Sequence, residues 1–97
     1  MNETNIDIDP ELCAPHVHLN GTGKDSLMRE VNEAIDALQT AEDVVGNMTV
    51  HSRDYYIFPN GLEYIWPLAW TQACERSRKL KKLREELENY RLMIAVQ

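Results

Sequence analysis

The sequence has few cysteines and no long apolar run. These shortages argue against two classes of protein, those held together by disulfides and those that span a membrane. Two cysteines, Cys13 and Cys74, in 97 residues do not make a disulfide framework and favour a reducing, intracellular setting. No segment approaches the roughly 20 apolar residues that a membrane-spanning helix needs. Met1–Pro10 is polar and acidic, unlike a signal peptide. We therefore expect a cytoplasmic protein that does not bind membranes.

The sequence also lacks the residue patterns of catalysis and of metal binding. No nucleophile is paired with a base, and neither a metal-binding cysteine–histidine spacing nor an H-E-x-x-H motif is present. We interpret the histidines, His16, His18 and His51, as loop or surface residues. We therefore expect no enzyme, no cofactor and no metal.

Basic residues are rare in most of the chain. The formal net charge is −6, and residues 1–75 carry 13 acids against 3 bases, whereas residues 76–97 carry 3 acids against 7 bases. An acidic protein is poorly suited to wrap duplex nucleic acid. The basic segment Glu75–Glu88 is typical of the flank of a coiled coil, and we expect it to pair with acids of an earlier helix. The asymmetry favours attraction within a chain or between chains.

Helical periodicity is the main feature that is present. Met1–Pro15 is acidic and without periodicity, which indicates a flexible N-terminal arm (residues 1–15) before a helical domain (residues 16–97). His16–Leu19 alternates enough for a short extended piece. From about Gly23 the spacing predicts a helix with Thr22 as N-cap, Asp25 completing a capping box, and Gly46-Asn47 as a stop that tolerates positive φ. Its apolar stripe is Met28, Val31, Ile35, Leu38, Ala41 and Val45.

A second, longer helix is predicted to begin near Ile65–Pro67, after a turn at Pro59-Asn60-Gly61. The fold class is therefore all-α, a two-helix antiparallel hairpin with an aromatic-rich connecting loop. Two helices leave much of both apolar stripes exposed, so we expect a homodimer or homotetramer that completes a bundle. The second stripe is nearly heptad and consists of Trp70, Ala73, Ser77, Leu80, Leu83, Leu87, Tyr90 and Ile94.

The first candidate site is the segment HVHLNGTGKDSL, residues 16–27. A helix N-terminus presents unpaired amides, Gly21 and Gly23 allow close approach, and Lys24 adds a full charge, all of which favour an anion such as phosphate. The segment is not a Walker A loop, because that motif requires glycine and Ser or Thr where this chain has His18 and Asp25. A simple helix start explains the same residues equally well.

The second candidate site is HSRDYY, residues 51–56. Arg53 offers a bidentate fork for phosphate, Asp54 an acceptor for a base edge or ribose hydroxyl, and Tyr55 and Tyr56 faces on which a base can stack. The same residues would also serve to cover the open end of the hairpin. Six of the seven aromatic residues fall between positions 55 and 70. We interpret Tyr64, Trp66 and Trp70 as core or subunit interface.

Two motifs carry a resemblance to a known family. HLNGT (His18–Thr22), a helix, RDYY (Arg53–Tyr56) and a long charged helix resemble small accessory proteins of tailed bacteriophages, over roughly residues 16–95. The resemblance implies a phage protein that counters host defence. Such a protein acts as a sponge for a nucleotide signal, such as cyclic ADP-ribose isomers or cyclic oligonucleotides, or blocks a defence enzyme directly.

The two candidate sites lie at opposite ends of the first helix, about 30 Å apart at 1.5 Å per residue. An antiparallel dimer would bring one copy's site next to the other's. We therefore hypothesise a non-enzymatic homo-oligomer that sequesters a small anionic, nucleotide-like signalling molecule at subunit interfaces. The alternatives are a protein–protein inhibitor with an acidic or aromatic surface, and a structural phage component. The expected ligand-binding residues are His18, Asn20, Gly21, Thr22, Gly23, Lys24, Arg53, Asp54, Tyr55 and Tyr56.

Overall fold

The chain folds as two antiparallel helices joined by a structured loop. The computed structural model describes residues 11–97. Helix α1 spans Lys24–Gly46 and helix α2 spans Trp66–Ala95. A 3₁₀ turn at Ser52–Asp54 and a π-helical turn at Gly61–Ile65 lie between them. Residues 11–97 contain no strand, so the predicted all-α hairpin is confirmed.

The start of α1 differs from the prediction. Gly23 rather than Thr22 is the N-cap residue, with extended backbone (φ −65°, ψ 149°) and no side-chain cap hydrogen bond. The amide of Leu27 donates to the carbonyl of Gly23 (3.1 Å) and closes the first turn. Thr22 therefore lies one residue outside the position from which a hydroxyl caps a helix. The predicted Thr22–Asp25 capping box is wrong.

The end of α1 falls where the sequence predicts it but has a different geometry. Asn47 is the C-cap residue at φ −93°, so the stop does not use the left-handed conformation that Gly46-Asn47 would tolerate. The Asn47 amide donates to the carbonyls of Asp43 (3.1 Å) and Val44 (3.3 Å). The last turn of the helix is thus tightened, and its carbonyls accept hydrogen bonds from the amide that follows the helix.

The turn before α2 depends on Asn60 and Gly61. Asn60 adopts the left-handed conformation (φ 58°), which asparagine tolerates better than most residues. Gly61 is buried, and a Cβ atom there would overlap the carbonyl oxygen of Tyr55. The π-helical turn then leads directly into α2, with Pro67 in the first turn, where its missing amide costs no hydrogen bond.

The apolar core is small and lies along the seam between the helices. Val31, Ile35 and Ile94 are the buried apolar residues in the described part of the chain. Trp70 and Leu83, both expected on the packed stripe of α2, are instead 57% and 45% exposed. Most other stripe residues are half-buried. The hairpin therefore covers only part of its own apolar surface.

Polar contacts complete the seam. Arg84 donates to both carboxylate oxygens of Glu42, at 2.5 Å from Nε and 3.2 Å from Nη2. Arg91 Nη1 donates to the Asn32 side-chain oxygen at 2.9 Å. The bidentate contact between Arg84 and Glu42 confirms the prediction that the basic segment of α2 pairs with an acid of α1.

The N-terminal segment is tied to the last residue of the chain. The Gln97 side chain accepts from the amide of Val17 (2.7 Å) and donates to the carbonyl of Pro15 (2.8 Å). Residues 12–18 have no regular secondary structure, so the extended piece expected at His16–Leu19 pairs with no strand. Residues 1–10 of the expected acidic arm lie outside the described residues.

The molecule is rod-shaped. It measures 63 × 28 × 20 Å and has a radius of gyration of 19.2 Å, against about 13 Å for a compact domain of about 100 residues. We call the end with the loop (residues 47–65) the closed end and the end with Lys24 and Gln97 the terminal end. A two-helix rod has no second layer to cover its faces, which is why so few side chains are buried.

Candidate functional site

The closed end is built from consecutive tight turns that hold the loop in place. The His51 ring nitrogen Nδ1 accepts from the amide of Arg53 (3.0 Å) and caps the 3₁₀ turn. The Trp66 indole donates to the carbonyl of Val50 (3.2 Å), which fastens the loop to the start of α2. The loop is therefore an ordered platform, although it contains little regular structure.

Exposed apolar side chains concentrate at this end. Of the twelve large apolar residues that are exposed within residues 11–97, nine lie between Val44 and Trp70. Single exposed apolar residues are ordinary, whereas a cluster marks an interaction surface. We call this cluster the closed-end apolar surface, and it consists of Val44, Met48, Tyr56, Ile57, Phe58, Leu62, Tyr64, Leu68 and Trp70.

Trp70 stands between two grooves. One groove, of about 300 Å³, is lined by Met48, Val50 and Trp70 together with the end of α1 and the small residues of α2. The other, of about 470 Å³, is lined by Trp66, Pro67, Trp70 and Thr71. An exposed indole flanked by shallow apolar grooves can anchor a complementary surface, because it loses few rotamers on burial and carries a large apolar area.

The second predicted site, Arg53–Tyr56, lies in the same loop. Arg53, Asp54 and Tyr56 are exposed, and Tyr55 is half-buried. The guanidinium of Arg53 makes no hydrogen bond or ion pair with the described residues, so its fork is open. The structure therefore leaves these groups accessible, with Tyr56 63% exposed.

The first predicted site, His18–Lys24, lies at the terminal end and has a different environment. His18, Asn20, Gly21, Thr22 and Gly23 are exposed, and the Gly21 amide donates to the His18 carbonyl (3.2 Å) in a turn.

Lys24 is engaged within the chain. Its ammonium donates to the carbonyls of Ala95 (3.1 Å) and Gln97 (3.0 Å). A cation at the C-terminus of α2 offsets the negative end of that helix. A phosphate at this loop would therefore compete with the carboxyl end of α2 for the Lys24 charge.

Within one chain the two predicted sites are separated by the length of α1. Its 23 residues span about 35 Å at 1.5 Å per residue. The structure thus brings Arg53, Asp54, Tyr55 and Tyr56 together at one end, and His18 to Lys24 at the other.

Several residues of the closed-end apolar surface were not singled out by sequence reasoning. Ile57, Phe58, Leu62 and Met48 carried no motif, and Tyr64 and Trp70 were interpreted as core or subunit interface. Both aromatic side chains are exposed in the hairpin. The available signal was the clustering of aromatic residues between positions 55 and 70. It indicated a packing surface but did not show that the side chains are exposed in the hairpin.

The charged groups of the seam are structural. Donation to Glu42 is the largest effect and raises the pKa of Arg84 above its ordinary value. Desolvation, the next in size, opposes this rise, and the charges of Glu42 and Glu88 add to it. The His16, His18 and His51 side chains do not converge with other ligands, and residues 11–97 hold no group of three potential metal-binding side chains. Neither α1 nor α2 contains an apolar stretch that would span a bilayer.

Comparison with protein-family models, curated proteins and solved structures finds no match for this chain. The fold thus defines the class, a two-helix antiparallel hairpin, and the resemblance to phage accessory proteins stays a prediction.

Proposed function

We propose that this chain is a non-enzymatic binding module whose closed-end apolar surface recognises a protein partner. The observation that carries the proposal is the concentration of exposed apolar side chains between Val44 and Trp70, together with the two grooves that Trp70 lines. A surface of this kind is costly to leave in water and gives binding energy when a partner covers it. The phage-related form of the proposal is an inhibitor that blocks a host defence enzyme in the host cytoplasm.

The partner expected from this chemistry presents an apolar ridge or helix face. Two open apolar grooves on either side of one indole accept protruding aliphatic or aromatic side chains. Polar specificity would come from the rim, where Arg53, Asp54 and Glu63 are exposed. Rim charges mainly affect the association rate and the choice of partner.

Affinity capture with matched variants tests this proposal. Trp70→Ala removes the anchor, and Leu19→Ala removes an apolar side chain that is 98% exposed at the terminal end. We expect the wild type and Leu19→Ala to retain the same protein in stoichiometric amount, and Trp70→Ala to lose it. Thermal melts verify that both variants fold. Equal retention by all three chains, or by none, contradicts the proposal.

A second candidate function is the sequestration of a nucleotide-like signal. The open guanidinium of Arg53 and the exposed ring of Tyr56 in the same loop support it, since such groups can hold a phosphate and stack a base. Calorimetry with cyclic nucleotides and ADP-ribose derivatives tests it. We expect Arg53→Ala to weaken binding at least tenfold and Arg29→Ala, on the exposed side of α1, to leave it unchanged. No heat with any ligand contradicts this function.

A further inference from the structure

An exposed stripe along α2 has the charge pattern of a self-complementary contact. Arg76, Lys79, Leu83 and Glu86 follow one another at steps of three and four, and all four are exposed. Such steps place residues on one side of a helix. The stripe is distinct from the seam, where Arg84, the next residue after Leu83, contacts Glu42.

The charge along α2 reverses near Leu83. Residues 76–82 carry five bases and no acid, whereas residues 85–88 carry three acids. Within residues 11–97, neither the Lys79 ammonium nor the Glu86 carboxylate has an ion-pair partner. An antiparallel copy of the same helix, centred at Leu83, would place the bases of each copy opposite the acids of the other.

Helix α1 presents a compatible surface on the same side of the hairpin. One polar depression is lined by Gln39, Asp43 and Arg84. It marks the side of the seam that faces away from the exposed stripe of α2. Helical phase puts Ala37 and Ala41 roughly opposite Gln39 and Asp43 on α1. Side chains as small as alanine allow two helices to approach to about 8 Å.

We propose that a second copy of this chain packs antiparallel on the face formed by Ala37, Ala41, Arg76, Lys79, Leu83 and Glu86, and completes a four-helix bundle. The two-fold axis passes near Leu83, so that Leu83 meets its equivalent and Lys79 of each copy meets Glu86 of the other. The face is about 35 Å long and about 20 Å wide, two helix diameters. It approaches the roughly 800 Å² per partner of a standard interface.

The position of the axis has a consequence for the candidate sites. Leu83 lies about 18 Å from the end of α2 at Ala95 and about 25 Å from its start at Trp66, at 1.5 Å per residue. The closed end of each copy therefore lies near the terminal end of the other, so Arg53–Tyr56 of one copy and Gly21–Lys24 of the other share one end of the dimer. This point bears on the second candidate function, whereas the dimer itself depends on neither candidate.

Charge reversal within one chain tests the dimer. Wild-type chain should have a mass of about 22 kDa in sedimentation equilibrium, twice 11.2 kDa. Lys79→Glu and Glu86→Lys should each weaken the dimer about tenfold, because each creates two like-charge contacts across the axis. The double variant should recover to within about threefold. Residues 79 and 86 lie two turns apart on one helix, so a contact within the chain does not explain such recovery.

A disulfide tests the position of the axis. In a Cys13→Ser, Cys74→Ser background, Leu83→Cys should form a covalent dimer under mild oxidation, and Lys81→Cys, on another side of α2, should not. A monomeric wild type, a double reversal as weak as the single variants, or equal cross-linking at positions 81 and 83 overturns the proposal. Trp70→Ala should leave the mass unchanged, so undiminished partner binding by Trp70→Ala with an intact dimer contradicts only the proposed protein partner.

Discussion

Gly61 shows how a single residue determines the path of the chain into α2. The carbonyl of Tyr55 passes so close to its Cα that any side chain would overlap it. The overlap involves backbone atoms, which cannot turn aside as a flexible side chain does. The requirement is therefore steric, since Gly61 does not have a positive φ.

Gly61→Ala should lower the free energy of unfolding by about 1–3 kcal/mol, the usual cost of overpacking. Gly46→Ala is the matched control, because a Cβ atom there has nothing within 4 Å. It should be neutral or stabilising by up to about 1 kcal/mol, since alanine is the better helix former. Urea denaturation measures both. Equal effects of the two substitutions would show that the close approach at Tyr55 is not a constraint.

Lys24 is the residue for which a structural role and a ligand-binding role lead to different results. Because its ammonium caps the C-terminus of α2, Lys24→Met should lower the free energy of unfolding by about 0.5–1 kcal/mol. Arg29→Met, at an exposed position in the next turn of α1, should change it by less than about 0.5 kcal/mol. If Lys24→Met leaves stability unchanged, the contact with α2 does not hold in solution.

At the level of elements, periodicity was sufficient to predict both helices. The steps of three and four located α1 and α2 to within one or two residues, because a buried stripe has to follow the helical repeat. The N-cap was missed because Thr22 and Gly23 both suit the position, and only the backbone decides between them. The exposure of Trp70 was missed for another reason: a two-helix rod has one seam, and a wide stripe extends beyond it.

The Arg84–Glu42 pair tests the register between the helices. Its side chains are 20% and 21% exposed, whereas those of the Arg78–Glu75 pair on the surface of α2 are 65% and 46% exposed. A double-mutant cycle with Arg84→Met and Glu42→Gln should give a larger coupling energy than the equivalent cycle at Arg78 and Glu75, because water screens the exposed pair. Equal coupling would contradict the bidentate contact.

The pH dependence of this pair follows from the direction of the Arg84 pKa shift. A group whose pKa is raised on folding contributes to the free energy of unfolding. This contribution is complete at pH values below the unfolded-state pKa and is lost as the pH rises through the folded-state pKa. The Arg84 value is raised from one that is already far above neutral. The stability difference between wild type and Arg84→Met should therefore be constant between about pH 7 and 9. A steady decline over that range would show that another group controls the difference.

At the scale of the whole molecule, the two ends of the rod differ in how much of their binding capacity is used within the chain. The terminal end closes on itself through Lys24 and Gln97. The closed end leaves nine large apolar side chains exposed. The sequence predicted both candidate segments and their separation, but it could not predict that Lys24 would be engaged. That contact joins residues more than 70 positions apart, and no local pattern encodes it.

The most direct measurement is the dissociation constant of the captured partner for three purified chains. Trp70→Ala should weaken binding about 30-fold or more, which corresponds to the 2 kcal/mol or more of an anchoring aromatic residue. Leu19→Ala should stay within about twofold of the wild type. A partner that binds wild type and Trp70→Ala equally tightly would contradict the closed-end surface as the site of recognition.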